Sequence, residues 1–138
     1  METAKLRDKE EILNVLDPIV KEWFFSRFKE FSQPQLYGVM PIWERKNILI
    51  SAPTGGTKTL TAFLSIINYL ISLARKNELE EKVYAAYVSP LKALNNDIAK
   101  NLQEPLAEIY ALAKKKGEKL QENILNQSSS SSYFKIGR

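Results

Sequence analysis

Between about Glu10 and Phe31 the apolar residues Ile12, Leu13, Leu16, Ile19, Val20, Trp23, Phe24 and Phe28 recur at three- and four-residue steps, the period of a helix face. Pro18 divides this stretch. It predicts a first helix ending near Leu16 and a second opening at Pro18, with Asp17 as its cap. Ser32-Gln33-Pro34-Gln35 reads as a capping box that starts a third helix, Gln35 reaching back to the Ser32 amide. Pro41 should kink or shorten that helix.

The period changes at Asn47. Asn47-Ile48-Leu49-Ile50-Ser51-Ala52 is a short continuous apolar run between polar turn residues, which predicts a strand buried on both faces. The turn Pro53-Thr54-Gly55-Gly56-Thr57 leads into a predicted helix from Lys58 to about Asn77. Its apolar positions are Leu60, Phe63, Leu64, Ile67, Leu70, Ile71 and Ala74. A charged connector, Lys76 to Lys82, precedes a second predicted strand, Val83 to Val88. Ser89-Pro90 should cap a further helix beginning near Leu91. Pro105 should break that helix, and Gly117 should end its continuation. Strand, helix, strand, helix is the grammar of a parallel α/β sheet. Residues 1–123 form the expected domain. Residues 124–138 differ, with a run of serines from Ser128 to Ser132 and a final Tyr133-Phe134-Lys135-Ile136-Gly137-Arg138 that could open a third strand.

Composition narrows the chemistry. The 138 residues are 44% hydrophobic and 26% charged, ordinary for one globular domain. Cysteine and histidine are both absent. That excludes a disulfide framework, a zinc cluster, a thiol nucleophile and a Ser-His-Asp arrangement. The formal net charge is +4, from +1 in residues 1–89 (12 basic, 11 acidic) and +3 in residues 90–138 (8 basic, 5 acidic). A mild excess of this kind suits nucleic acid or nucleotide phosphate and equally suits a solvated surface. The greasiest run, Leu60 to Ala74, is interrupted by Ser65, Asn68 and Ser72 and falls short of the roughly 20 apolar residues of a bilayer span. The charged N-terminus has no apolar signal region, so a cytoplasmic protein is expected.

Ala52-Pro53-Thr54-Gly55-Gly56-Thr57-Lys58-Thr59 sits between a predicted strand and a predicted helix, the context a phosphate-binding loop requires. There the backbone amides and helix N-terminus receive phosphate, a lysine reaches the β- and γ-phosphates, and the next hydroxyl ligates Mg²⁺. Lys58 and Thr59 stand where that chemistry needs them. The strict pattern G-x-x-x-x-G-K-[ST] is not met, because position 52 is Ala and position 57 is Thr. If the loop demands a left-handed angle at position 57, Thr57 adds strain on the order of 1–3 kcal/mol, roughly a 5- to 150-fold loss of affinity if it opposes binding. A Gly-Gly turn followed by Lys is also ordinary turn chemistry.

The flanking residues extend the pattern. Trp23-Phe24-Phe25-Ser26-Arg27-Phe28, Pro34-Gln35, Lys46 to Gly55 and Lys58-Thr59-Leu60-Thr61-Ala62-Phe63-Leu64 together resemble the start of a large helicase-related (Lhr-type) superfamily 2 helicase of the DEAD/DEAH-box class. Tyr87-Val88-Ser89-Pro90-Leu91-Lys92-Ala93-Leu94-Asn95-Asn96-Asp97-Ile98, Asn101-Leu102 and Glu104-Pro105-Leu106 continue it collinearly to about residue 110. The resemblance implies an α/β fold, an incomplete RecA-like P-loop NTPase domain with parallel β strands and flanking helices. It implies ATP and Mg²⁺ as cofactors. Gln35 would read the adenine edge beside the aromatics around Phe28, or serve only as a helix cap. Thr54, Gly55, Gly56, Thr57, Lys58 and Thr59 would cradle the phosphates, Lys58 stabilising transferred charge and Thr59 holding the metal. Ser89, Pro90, Leu91 and Lys92 would follow the backbone of a nucleic-acid single strand, DNA or RNA.

Hydrolysis in that family draws on an acidic DEAH-type motif and on a second motor domain, and neither pattern occurs in these 138 residues. The resemblance therefore implies an ATP- and nucleic-acid-binding segment of a DNA helicase motor, truncated and not active alone, whose remainder is lost or encoded separately. Its sheet edges would be unpaired, which predicts marginal stability or self-association. Two alternatives stay open: a remnant or interaction module that binds no nucleotide, and a small basic nucleic-acid-binding protein.

Overall fold

The computed structural model describes residues 5–51, 57–88, 99–122 and 134–137. The chain forms two compact units, Met1–Tyr69 and Leu70–Arg138. In the first, α1 (Lys9–Val15), α2 (Pro18–Arg27) and α3 (Gln33–Trp43) precede α4 (Thr57–Arg75), which runs across the division. In the second, β1 (Ala85–Val88), a π-helical turn (Ala99–Gln103), α5 (Glu104–Lys115) and β2 (Phe134–Gly137) follow.

Local chemistry sets the helix starts. Asp8 accepts from the Glu10 amide at the head of α1. Asp17 caps α2 by accepting from Ile19 N–H at 3.0 Å, with Pro18 at the first helical position. Ser32 and Gln35 face each other at the head of α3, but one arm of the box closes as a hydrogen bond: Ser32 N–H donates to Gln35 Oε1 at 2.8 Å. The Ser32 hydroxyl oxygen is enclosed with no hydrogen-bond partner among the described residues.

The helix ends share a device. α3, α4 and α5 each close with a left-handed residue: Arg45 (φ 62°), Asn77 (φ 58°) and Gly117 (φ 75°). The next amide reaches back to a carbonyl five residues earlier, Lys46 to Pro41 at 2.8 Å, Glu78 to Leu73 at 2.9 Å and Glu118 to Ala113 at 2.9 Å. This is the Schellman closure. Pro41 lies inside α3, which ends two residues later, so the proline shortens the helix rather than merely bending it.

α4 is the central element of the first unit. Leu60, Phe63, Leu64 and Ile67 are buried as the helical period predicts, and so are Leu70, Ile71 and Ala74 in its later turns. A second face of α4, Thr61, Ser65 and Asn68, is buried too. Polar groups at that depth require partners. Ser65 Oγ donates to the Val39 carbonyl at 2.9 Å. Asn68 bridges the α1–α2 junction, its Oδ1 accepting from Asp17 N–H at 2.7 Å and its Nδ2 donating to Val15 O at 2.9 Å. Leu60, Phe63, Leu64 and Ile67 of α4, with Ile12, Ile19, Val20, Trp23, Phe24 and Val39, form the first unit's core.

Two expectations are corrected. Residues 47–51 are not in a strand, and the run is not buried on both faces, since Leu49 is 81% exposed while Ile48 and Ile50 are half-buried. A strand exists only through ladder hydrogen bonds to a neighbour, and no β partner is present for this segment among the described residues. The break expected at Pro105 is also absent. The π-helical turn runs directly into α5 through Gln103, which is itself right-handed helical (φ −66°, ψ −50°). The wider π-helical turn before the proline accommodates its ring.

In the second unit β1 and β2 pair in parallel, Ala85 with Phe134, Ala86 with Lys135, Tyr87 with Ile136 and Val88 with Gly137. The order β1, α5, β2 is a β-α-β arrangement, and the terminal hexapeptide supplies its second strand. Gln121 joins the segment after α5 to the end of α4. Its backbone N–H donates to Ala74 O at 3.0 Å. Its side-chain amide pairs with both backbone groups of Leu79, at 2.9 and 3.2 Å. Tyr110 donates its hydroxyl to the Gln121 carbonyl. Tyr84 and Tyr87 are half-buried, and Tyr84 accepts from Glu80 N–H at 2.9 Å. No described helix is long and apolar enough to cross a membrane.

Candidate functional site

The candidate site lies in the first unit, around the loop between Ser51 and α4. Thr54, Gly55 and Gly56 lie outside the described residues, as do Ser89, Pro90, Leu91 and Lys92. Thr57 is the first residue of α4. That position takes right-handed helical backbone, which a β-branched residue tolerates, so the condition under which Thr57 would add backbone strain is not met. Lys58 and Thr59 follow in the first turn, both half-buried. The first amides of a helix have no intrahelical acceptor and carry partial positive charge.

Gln35 is at the third position of α3 and is 2% exposed. Its Oε1 is engaged by the Ser32 amide, so the cap anticipated from the sequence is made. Just ahead of it lies an aromatic cluster. Phe24 stacks on Phe31 with ring centroids 4.9 Å apart and packs against Phe28 at 4.9 Å, while Phe25 meets both Phe24 and Phe31 edge-on. Arg27 lies over the Trp23 ring at 5.9 Å. Trp23 is buried with Phe24.

One residue that sequence reasoning passed over joins these parts. Gly38 lies one turn beyond Gln35. A Cβ there would come within 2.7 Å of both Ile50 Cδ1 and Thr61 Cγ2. Ile50 precedes the loop, and Thr61 stands one turn into the helix that follows it. The bare backbone of α3 therefore fits against both flanks of the loop. The signal in the sequence is an unexplained glycine inside a helix, where glycine costs about 1 kcal/mol relative to alanine.

Charge is organised elsewhere in this unit. Arg7 forks onto Glu11 at 2.9 and 3.0 Å and onto Glu44 at 3.0 and 3.2 Å. Hydrogen bonding to Arg7 holds both carboxylates below the usual range, and the same contacts raise the Arg7 guanidinium. No group of three or more acidic residues placed to hold a metal occurs among the described residues.

Comparison with known proteins identifies the family. The family model described as "DEAD/DEAH box helicase" matches residues 32–134, from the cap of α3 to the first residue of β2. "ATP-dependent helicase Lhr-Core" of Methanocaldococcus jannaschii is 55% identical over 113 residues, 82% of this chain and 13% of that protein. "ATP-dependent helicase Lhr-Core protein 2" of Thermococcus barophilus is 50% identical over 128 residues, 91% of this chain and 15% of that protein. "Lhr helicase/uracil glycosylase" of Escherichia coli is 34% identical over 111 residues, covering 76% of this chain and 7% of that protein. The chain thus spans about 13–15% of the length of the archaeal relatives named here. No solved structure matches it. A family match running from the α3 cap through both flanks of the loop to the second strand, with half of the aligned residues shared with Lhr-Core helicases, makes this chain a member of the DEAD/DEAH box helicase family of Lhr type.

Proposed function

We propose that the chain is an ATP-binding and nucleic-acid-binding part of a helicase motor of RecA-like fold. The observation that carries this reading is the seating of α3 at Gly38 against Ile50 and Thr61, which holds the helix bearing Gln35 against both flanks of the loop. In this reading Thr54, Gly55, Gly56 and Thr57 wrap main-chain donors around the phosphates. Lys58 neutralises the β- and γ-phosphate charge, and the Thr59 hydroxyl with phosphate oxygens holds Mg²⁺, which polarises the transferring phosphate when bound. Gln35 reads the adenine edge and caps α3 in the absence of nucleotide. The aromatic cluster of Phe24, Phe25, Phe28 and Phe31 walls the base side. The parallel β1–β2 pair is one part of the larger parallel sheet that the family fold requires. Ser89, Pro90, Leu91 and Lys92 follow the C-terminal end of β1, the end at which parallel sheets bind ligands, and grip a DNA or RNA single strand through phosphate and sugar.

Titration of the chain with a fluorescent ATP analogue in the presence of Mg²⁺ tests this. Saturable binding is expected, weakened by on the order of a hundredfold in Lys58→Ala, as when a charged hydrogen-bonding partner of about 3 kcal/mol is removed. No saturation at millimolar nucleotide, with Thr57→Gly restoring it, would establish the non-binding remnant instead. Because Thr57 is helical, a gain in Thr57→Gly measures room for phosphate rather than relief of a left-handed angle. Salt-dependent binding of single strands that ignores ATP would favour the small basic nucleic-acid-binding protein.

A further inference from the structure

We infer that Gly38 is a positioning residue for nucleotide selection: the absence of a side chain there sets the spacing between Gln35 and the first turn of α4, and hence the preference for an adenine nucleotide. The inference rests on the nucleotide-binding reading above. It starts from a helix–helix contact with no slack. The nearest atoms to a Cβ at position 38 are Ile50 Cδ1 and Thr61 Cγ2, both at 2.7 Å, well inside normal carbon contact. Ile50 can swing its terminal methyl away. Thr61 cannot readily do so, because it is β-branched, sits in a helix and is fully buried.

A neighbouring contact fixes the same approach from the other side. Ser65, one turn after Thr61 on α4, donates its hydroxyl to the carbonyl of Val39, the residue after Gly38, at 2.9 Å. The α3–α4 contact is thus held by a hydrogen bond and limited by a van der Waals stop, one residue apart on α3. A side chain at position 38 must push the two helices apart or tilt α3 about the Ser65 bond. Either motion moves Gln35, one turn before Gly38, relative to Lys58 and Thr59, one turn before Thr61. A ligand gripped at base and phosphates together senses that spacing. The phosphate grip on α4 alone does not.

The consequence is selective. Adenine and guanine nucleotides share the same triphosphate, so a displaced Gln35 should erode discrimination between them before it erodes phosphate binding. Gly38→Ala is expected to lower the ratio of ATP to GTP affinity by on the order of tenfold, the scale of penalty that follows displacement of a positioned group by a fraction of an ångström. Thr61→Ser removes Cγ2 and keeps the hydroxyl, and Ile50→Val removes Cδ1. Added to Gly38→Ala, these two changes should return the ratio to within about twofold of the unsubstituted chain by clearing both clashing atoms.

The experiment is competition of unlabelled ATP and GTP against a fluorescent ATP analogue on the full chain, for the unsubstituted protein, Gly38→Ala and the three-site variant, with circular dichroism to confirm helix content. A reduced ratio in Gly38→Ala that the three-site variant restores supports the inference. If Gly38→Ala does not fold, the three-site variant decides: an unsubstituted-like ratio supports the spacing argument, and a lost preference overturns it. An unchanged ratio in folded Gly38→Ala, or an unsubstituted chain that binds both nucleotides equally, overturns the inference while leaving nucleotide binding in place. Failure of the unsubstituted chain to bind either nucleotide overturns both.

Discussion

Asn68 shows how one polar residue can organise several segments. In the sequence it is an interruption in a greasy run, useful only for excluding a membrane span. In the folded chain it is 0% exposed and holds the carbonyl of Val15 and the amide of Asp17 at the bend between α1 and α2. Both bonds span the point where Pro18 restarts the helix. Asn68→Ala removes both, and a loss of about 2–4 kcal/mol is expected, read as a lower urea midpoint. A loss below about 0.5 kcal/mol would mean that water reaches the bend. Neither partner of Asn68 could be read from the chain, since both lie more than fifty residues away. Gln35 was legible at the same level, because its cap is local: Ser32 and Gln35 are three residues apart.

Helix interiors followed the hydrophobic period, whereas their ends and the segments between them did not always follow local rules. α4 was predicted from Lys58 to Asn77 and runs Thr57–Arg75, because seven apolar positions repeat at one helical period. The run from Asn47 to Ala52 was read as a buried strand, but six residues in a row carry no information about a hydrogen-bonding neighbour. Of the three left-handed closures, Gly117 was anticipated, since glycine carries no steric cost there. Arg45 and Asn77 were not, and Arg45 is held by packing, its guanidinium lying 5.1 Å from the Tyr69 ring centroid. Nothing lies within 4 Å of a Cβ built on Gly117, so Gly117→Ala isolates the backbone cost of the left-handed turn. A destabilisation of about 1–2 kcal/mol is expected, measured by chemical denaturation, and a neutral result would mean that the turn relaxes to a right-handed end.

The first unit is tied together at its periphery by charge as well as by its core. Arg7 joins Glu11 on α1 to Glu44 at the end of α3, with the Arg7 side chain 25% exposed. Both carboxylates titrate below their ordinary value of 4.5 in the folded chain. Their contribution is therefore present above that value and is lost as pH falls through the lowered folded values. Arg7→Gln should reduce stability near neutral pH, and its difference from the unsubstituted chain should close as the pH drops below about 4.5. Urea midpoints measured across pH 2–7 at low salt test this, since salt screens such pairs. A difference that persists unchanged at pH 2 would locate the role of Arg7 in packing instead.

Spacing along the chain was enough for the existence of α1 to α5 and for the Gln35 cap, because each depends on residues within a few turns of one another, and the collinear motifs carried the helicase resemblance. The parallel pairing of residues 85–88 with 134–137, the non-strand state of residues 47–51, the bridge through Asn68 and the notch at Gly38 came from the fold alone. Each depends on which distant backbone or side chain arrives at a position, and periodicity along one segment does not specify its neighbour.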